Sequence, residues 1–163
     1  AGETLCEDAV LISMVAGQDF EVMLQPDGAV AGLRHRDYIS AVLGKFALLP
    51  ESRKKELLEL YCPDVPSVYL QKLCGENGSI LSEKAAELGI EAELASRVMR
   101  IFNCNAQTQF SPTGDVIDTL SLSALQSRLN HSCDPNVIAL PGEAGKLRVV
   151  ALRRIAQGEE LCQ

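Results

Sequence analysis

The residues with the most chemical potential form one stretch, Asn130-His131-Ser132-Cys133-Asp134-Pro135-Asn136. An amide, an imidazole, a hydroxyl and a thiol occupy four successive positions, directly before a Pro-containing turn. The plain reading is a polar loop in which Asp134-Pro135-Asn136 turns the chain and Cys133 belongs to the core. A thiol–imidazole pair could instead serve as nucleophile and base, but such pairs are usually assembled from distant parts of a sequence. Here the two residues are adjacent but one and lack an orienting group. His35, the only other histidine, sits in Arg34-His35-Arg36, which reads as an exposed loop. Glu159 and Glu160 invite a paired-carboxylate reading, yet neighbouring strand residues face opposite ways, so a solvated turn is expected there. The six cysteines, Cys6, Cys62, Cys74, Cys104, Cys133 and Cys162, form no C-x-x-C pair. Their wide spacing argues against a disulfide framework or an internal zinc ribbon. Reduced, mostly buried thiols are expected, as in a cytoplasmic or nuclear protein.

The elements that must position these residues follow from composition and pattern. A length of 163 residues fits one domain, and 47% hydrophobic with 23% charged residues can bury a core. Fifteen basic against 22 acidic residues give −7, the wrong sign for gripping phosphate backbones. Seven Tyr and Phe with no Trp offer few stacking platforms for single strands. No direct nucleic-acid partner is expected, whereas a Lys-rich tail suits the acidic balance. No apolar run approaches the ~18 residues of a membrane span, and no membrane partner is expected. The start at Ala1 and the end at Gln163 read as cuts within a longer polypeptide.

Residues 1–33 read as strands and turns, with Thr4-Leu5-Cys6-Glu7, Val10 to Val15, and Phe20 to Leu24 as apolar or alternating runs and Gln25-Pro26-Asp27-Gly28 as a turn. Residues 37–104 read as helical. Pro50 suits the first turn of a helix from Glu51 to Tyr61, and Ser82 is placed to cap a short helix closed by Gly89. Ile90, Leu94, Val98, Ile101 and Phe102 mark the strongest helix. Arg53-Lys54-Lys55 is expected to be a solvated helix face. Residues 105–163 return to strands, with turns at Ser111 to Asp115 and Pro141 to Gly145 and a run from Leu147 to Ile155. Strand, helix and strand zones without βαβ alternation predict an α+β fold.

The stretch Asn130 to Asn136 resembles the signature of SET-domain protein methyltransferases, in the form typical of the SET and MYND group. Leu147 to Ile155 and Gly158-Glu159-Glu160-Leu161 resemble that family's next strand and the turn after it. Phe102-Asn103-Cys104-Asn105 resembles its short Asn motif at the end of an inner helix, and Ala1 to Leu5 the turn after its first strand. Leu33 to Met99 carries only a general likeness to the family's variable helical insert. The chain also departs from the pattern. It has no MYND Cys/His cluster and no post-SET cysteines. The family's Gly-x-Gly strand would precede Ala1, and its catalytic Tyr would follow Gln163.

The resemblance implies a SET-type α+β fold of small curved sheets over residues 1–163, incomplete at both ends, with a helical insert at 33–104 and a C-terminal core at 105–163. It implies methyl transfer from S-adenosylmethionine to a lysine side chain of a protein or histone tail, with Asn105, Ser127, Leu129, Asn130 and His131 lining the cofactor. Asn130 would meet the methionine end and the His131 backbone the adenine. An Asn amide suits such a role because it both donates and accepts without adding charge. No catalytic residue is assigned within the chain, and little turnover is expected of it alone. Cys133 matches a zinc ligand that needs cysteines outside this chain, since one thiolate cannot build a tetrahedral site; within the chain it is expected to be a free, buried thiol. The competing implication is a degenerate SET domain that serves as a non-catalytic interaction module.

Overall fold

A computed structural model describes residues 2–19, 22–24, 30–33, 35–74, 78–110, 117–141 and 146–163. The turns expected at Gln25 to Gly28 and Ser111 to Asp115, and most of that at Pro141 to Gly145, lie outside the described residues. The chain divides into two compact units, one of residues 1–11 and 123–163, the other of residues 12–122. Helices and small antiparallel sheets make the architecture α+β, as the zoning predicts.

In the first unit, strand β1 (Thr4–Val15) enters and pairs antiparallel with β7 (Lys146–Ala151), which pairs in turn with β6 (Val137–Pro141). Leu147 and Val149 are buried while Lys146 and Arg148 are exposed, a period-2 start that gives way to burial on both faces at Val150 and Ala151. The two short apolar runs read from the sequence at 4–7 and 10–15 are thus one continuous strand, because β7 supplies hydrogen-bond partners across Cys6 to Ala9. β7 ends at Ala151, before the expected Ile155, with Leu152 N still donating to Asn136 O as the last rung toward β6.

The second unit takes the remainder of β1, with β5 (Ile117–Ser123) next to it and β4 (Gln107–Phe110) outermost. A separate two-stranded ribbon pairs β2 (Val22–Leu24) with β3 (Val30–Leu33). Between them run α1 (His35–Leu48), α2 (Glu51–Leu58), α3 (Val68–Leu73), α4 (Ser79–Glu87) and α5 (Ala92–Asn105). The central helix is α5, which contacts each of the other four. Its buried positions, Ala95, Val98, Met99, Ile101, Phe102 and Asn105, follow a 3.6-residue period. Phe102 meets Tyr38 of α1 edge to face, with ring centroids 6.0 Å apart.

Several helix ends differ from the sequence expectation. His35 opens α1 and is not part of a loop; neither His nor Arg opposes helix formation, and the apolar stripe beyond them carries the helix back to this point. Pro50 is the N-cap of α2 and not its first helical residue. Helix α2 stops at Leu58 because side chains of α5 take up the carbonyls that follow: Arg97 donates to Leu58 O, Asn105 to Tyr61 O, and Arg100 to Pro63 O and Asp64 O. Ser82 lies inside α4, which starts a turn earlier at Ser79, preceded by Gly78 with φ of 73°. Gly89 closes α4 as expected: at φ of 66° it lets Ile90 N reach Ala85 O and its own N reach Ala86 O, the paired bonds of a Schellman stop. Helix α3 is absent from the sequence reading, although Ser67 caps it by accepting a hydrogen bond from Leu70 N. Among the described residues no helix is long and apolar enough to cross a membrane.

Candidate functional site

The loop from Asn130 to Asn136 is anchored at its entry by a buried carboxylate. Asp8 of β1 is 5% exposed and accepts hydrogen bonds from Leu125 N and Gln126 N, at 2.7 and 2.9 Å. Those bonds hold the single 3₁₀ turn Gln126–Arg128, which delivers Ser127, Leu129 and Asn130. Gln126 is buried, and its Nε2 donates to Gln163 Oε1 while Gln163 Nε2 donates to Gln126 O. Ser127 and Leu129 are half-buried; Asn130 and His131 are exposed.

The loop's far side is clamped by the last residues of the chain. Asn130 and Cys162 form a parallel bridge. Gln163 N donates to Asn130 O and Ser132 N to Gln163 O, while Asn136 N and Val137 N both donate to Cys162 O. Residues 162 and 163 are thereby held from two sides, by 130–132 and by 136–137. The clamp closes on the side chain of Asn136, which is only 3% exposed. Its Nδ2 donates to Glu160 O at 2.7 Å and Glu159 Oε1 at 3.1 Å, and its Oδ1 accepts from Cys162 N at 2.9 Å. Three groups from one turn thus converge on one amide, using its donor and acceptor capacity together.

Glu159 and Glu160 do face different ways, but neither is merely solvated. The Glu159 carboxylate accepts from Ala156 N and Asn136 Nδ2 and pairs with Arg153 at 2.7 Å. Those bonds, the Ala156 backbone N–H first, hold its pKa down to about 2. The sign of the pH effect follows. A carboxyl that is more acidic folded than unfolded adds stability above its ordinary value near 4.5, and that contribution is lost as pH falls toward 2. Acid titration of the chain should therefore show stability declining from about pH 4.5 downward, and Glu159→Gln should flatten that part of the profile. An unchanged slope in the variant, followed by circular dichroism across the window, would remove Glu159 from the clamp. Glu160 is exposed and its Oε1 accepts from Asn130 Nδ2 at 2.6 Å.

His131 Nε2 lies 3.6 Å from Cys133 Sγ, and Ser132 Oγ accepts from Asp134 N in a local turn. Cys133 is exposed, contrary to the expected buried thiol, because it sits on the outside of that turn. The same correction applies more widely: no disulfide joins the six cysteines, but only Cys74 is buried, and Cys104 is exposed on α5. Burial raises the pKa of Cys74, and partial desolvation, with Asp8 and Cys62 respectively nearby, raises those of Cys6 and Cys104. Among the described residues no group of three or more His, Cys, Asp or Glu side chains is placed to hold a metal ion, and Cys133 has the His131 imidazole as its neighbour.

Asn105 belongs to the helical unit, whereas Ser127, Leu129, Asn130 and His131 share the other. It is buried, and its Nδ2 donates to Tyr61 O at 2.8 Å and Ile101 O at 2.7 Å, so it ties the segment after α2 to α5. That unit also holds a cleft of about 760 Å³, with Phe46, Leu58, Ile90 and Leu94 among its walls and charges of both signs at Lys55, Glu59 and Glu91. No residue of the Asn130 loop lines it. The residues that sequence reasoning missed are Asp8 and Asn136. A charged residue among the apolar positions of β1 was the available signal for Asp8; Asn136 stood in the signature stretch, but nothing signalled its role as a clamp, since its partners lie more than twenty residues away.

Neutral and anionic oxygens at Asn130, Ser127 and Glu160 suit positively charged groups, and Leu129 supplies apolar surface beside them. No curated protein matches the chain. The SET domain family model matches residues 2–163, nearly the whole length. With helices and small antiparallel sheets presenting the Asn130 loop, the chain belongs to the SET-domain family, whose members are in general protein-lysine methyltransferases that use S-adenosylmethionine as methyl donor.

Proposed function

We propose that this chain is the SET domain, of the SET and MYND type, of an S-adenosylmethionine-dependent protein-lysine methyltransferase. The observation that carries the reading is the state of the Asn130 loop. Its backbone is locked on both flanks by residues 162 and 163, while the side chains of Asn130 and His131 face solvent. Functional groups held outward on a fixed backbone are what transfer in a single aligned geometry requires. Asn130 and the His131 backbone bind and orient the cofactor, and Ser127 and Leu129 line it. When bound, S-adenosylmethionine supplies a methyl group on a sulfonium, already a good leaving group. The protein's share is alignment and the desolvation that keeps the acceptor lysine neutral.

The surplus of seven negative charges favours a lysine-bearing protein or histone tail as substrate. The absence of disulfides among the six cysteines favours a cytoplasmic or nuclear setting. The test is made on the full-length polypeptide. Calorimetric titration with S-adenosylmethionine should give one site, and Asn130→Ala should weaken it about tenfold, the worth of a charge-assisted hydrogen bond. Peptide-array labelling should then show methyl transfer to lysine. Cofactor binding without labelling would favour the non-catalytic interaction module; no binding at all would overturn both the seat and the activity.

A further inference from the structure

We infer that Glu160 is a positioning residue: it fixes which atom of the Asn130 amide is offered to the cofactor. This rests on the cofactor seat proposed above and deepens it. The two neighbouring glutamates have divided their work. Glu159 is committed inward, to Ala156 N, Asn136 and Arg153. Glu160 is exposed, and among the described residues its carboxylate is bonded only to Asn130 Nδ2, at 2.6 Å. No Lys or Arg among the described residues pairs with it, so its charge is left uncompensated beside the loop.

An ionised carboxylate only accepts hydrogen bonds. It therefore selects one of the two rotated forms of the facing amide, the one with nitrogen toward Glu160 and Oδ1 turned away. Asn130 has no other side-chain partner among the described residues, so nothing else sets that choice. The outcome is an outward carbonyl oxygen next to a negative charge. Such a pair attracts an ammonium and repels a carboxylate. The methionine end of S-adenosylmethionine carries one of each, and the geometry assigns the Asn130 Oδ1 to its α-ammonium. Without Glu160 the amide rotates freely and presents nitrogen as readily as oxygen.

The experiment compares three ligands on the full-length polypeptide by calorimetric titration: S-adenosylmethionine, its decarboxylated form, which keeps an amine, and methylthioadenosine, which lacks the amino-acid end. Glu160→Gln leaves the shape intact but can donate as well as accept, so the amide is no longer sorted. Glu160→Ala removes the partner altogether. Each variant should weaken the first two ligands about tenfold, a single hydrogen bond's worth, and leave methylthioadenosine within about twofold. The thermal midpoint of Glu160→Gln, measured alongside, should match that of the parent. Equal losses for all three ligands would mean that Glu160 only holds the turn in place, and the inference fails. Losses for S-adenosylmethionine but not for the decarboxylated form would mean that Asn130 faces the carboxylate, which also overturns it. No change in any ligand does the same. If the parent protein binds none of the three, the proposed function itself falls, an outcome recognisable before any variant is made.

Discussion

Asn136→Ala should destabilise the protein by about 4 kcal/mol, the loss of a buried, fully hydrogen-bonded amide whose backbone partners, Glu160 O and Cys162 N, are left unpaired. The Ala side chain leaves the Cys162 N–H, the Glu160 carbonyl and one oxygen of Glu159 without the amide that now joins them. Among the described residues the two backbone groups have no other bond to fall back on. The backbone bonds of residue 136 to Cys162 O and Leu152 N survive the substitution, so the loss reports the side chain alone. Asn136→Asp separates chemistry from volume. It is nearly isosteric and keeps an acceptor for Cys162 N, but sets a second carboxylate against Glu159 and an oxygen against the Glu160 carbonyl. A loss at least as large as that of Ala is expected. Urea unfolding followed by circular dichroism measures both, and amide exchange at Cys162 should quicken in each variant. A cost below about 1 kcal/mol for Asp would show that the amide nitrogen does not hold the clamp.

Phe102→Ala should cost about as much, about 4 kcal/mol, by a different route. Phe102 is fully buried, as are Ile101, Val98 and Met99 on the same helix, and its ring meets Tyr38 edge to face. Truncation removes the transfer free energy of a whole ring and leaves a cavity that close-packed neighbours cannot fill. Because α5 packs on all four other helices, collapse on one side opens a gap on another. Phe102→Leu keeps most of the volume and should lose less than about 1.5 kcal/mol. Denaturant midpoints of the two variants decide the matter; near-equal values would mean that the edge-to-face contact, and not cavity volume, dominates.

Both predictions concern residues that the sequence treats very differently. Phe102 belongs to the stripe Val98, Ile101, Phe102, which reads as one helix face from spacing alone, and its burial follows from that spacing. Asn136 reads as part of a turn, and its part in the clamp shows only once residues 159–162 are brought against it.

What the amino-acid order alone determined was local. The α5 stripe, the stop at Gly89, the α+β zoning and the Asn-His loop depend on interactions a few residues long, whose energies are set by periodicity and backbone conformation. Tertiary structure decided whatever required a partner from far along the chain. The end of α2 depends on Arg97, Arg100 and Asn105 reaching its trailing carbonyls across 36 to 44 residues. The turn into the loop depends on Asp8, some 117 residues before the N–H groups it binds. The exposure of Cys133 depends on which side of its turn the C-terminal residues occupy. A buried polar group takes whichever partner the packed chain brings to it, and no spacing rule in the sequence encodes that pairing.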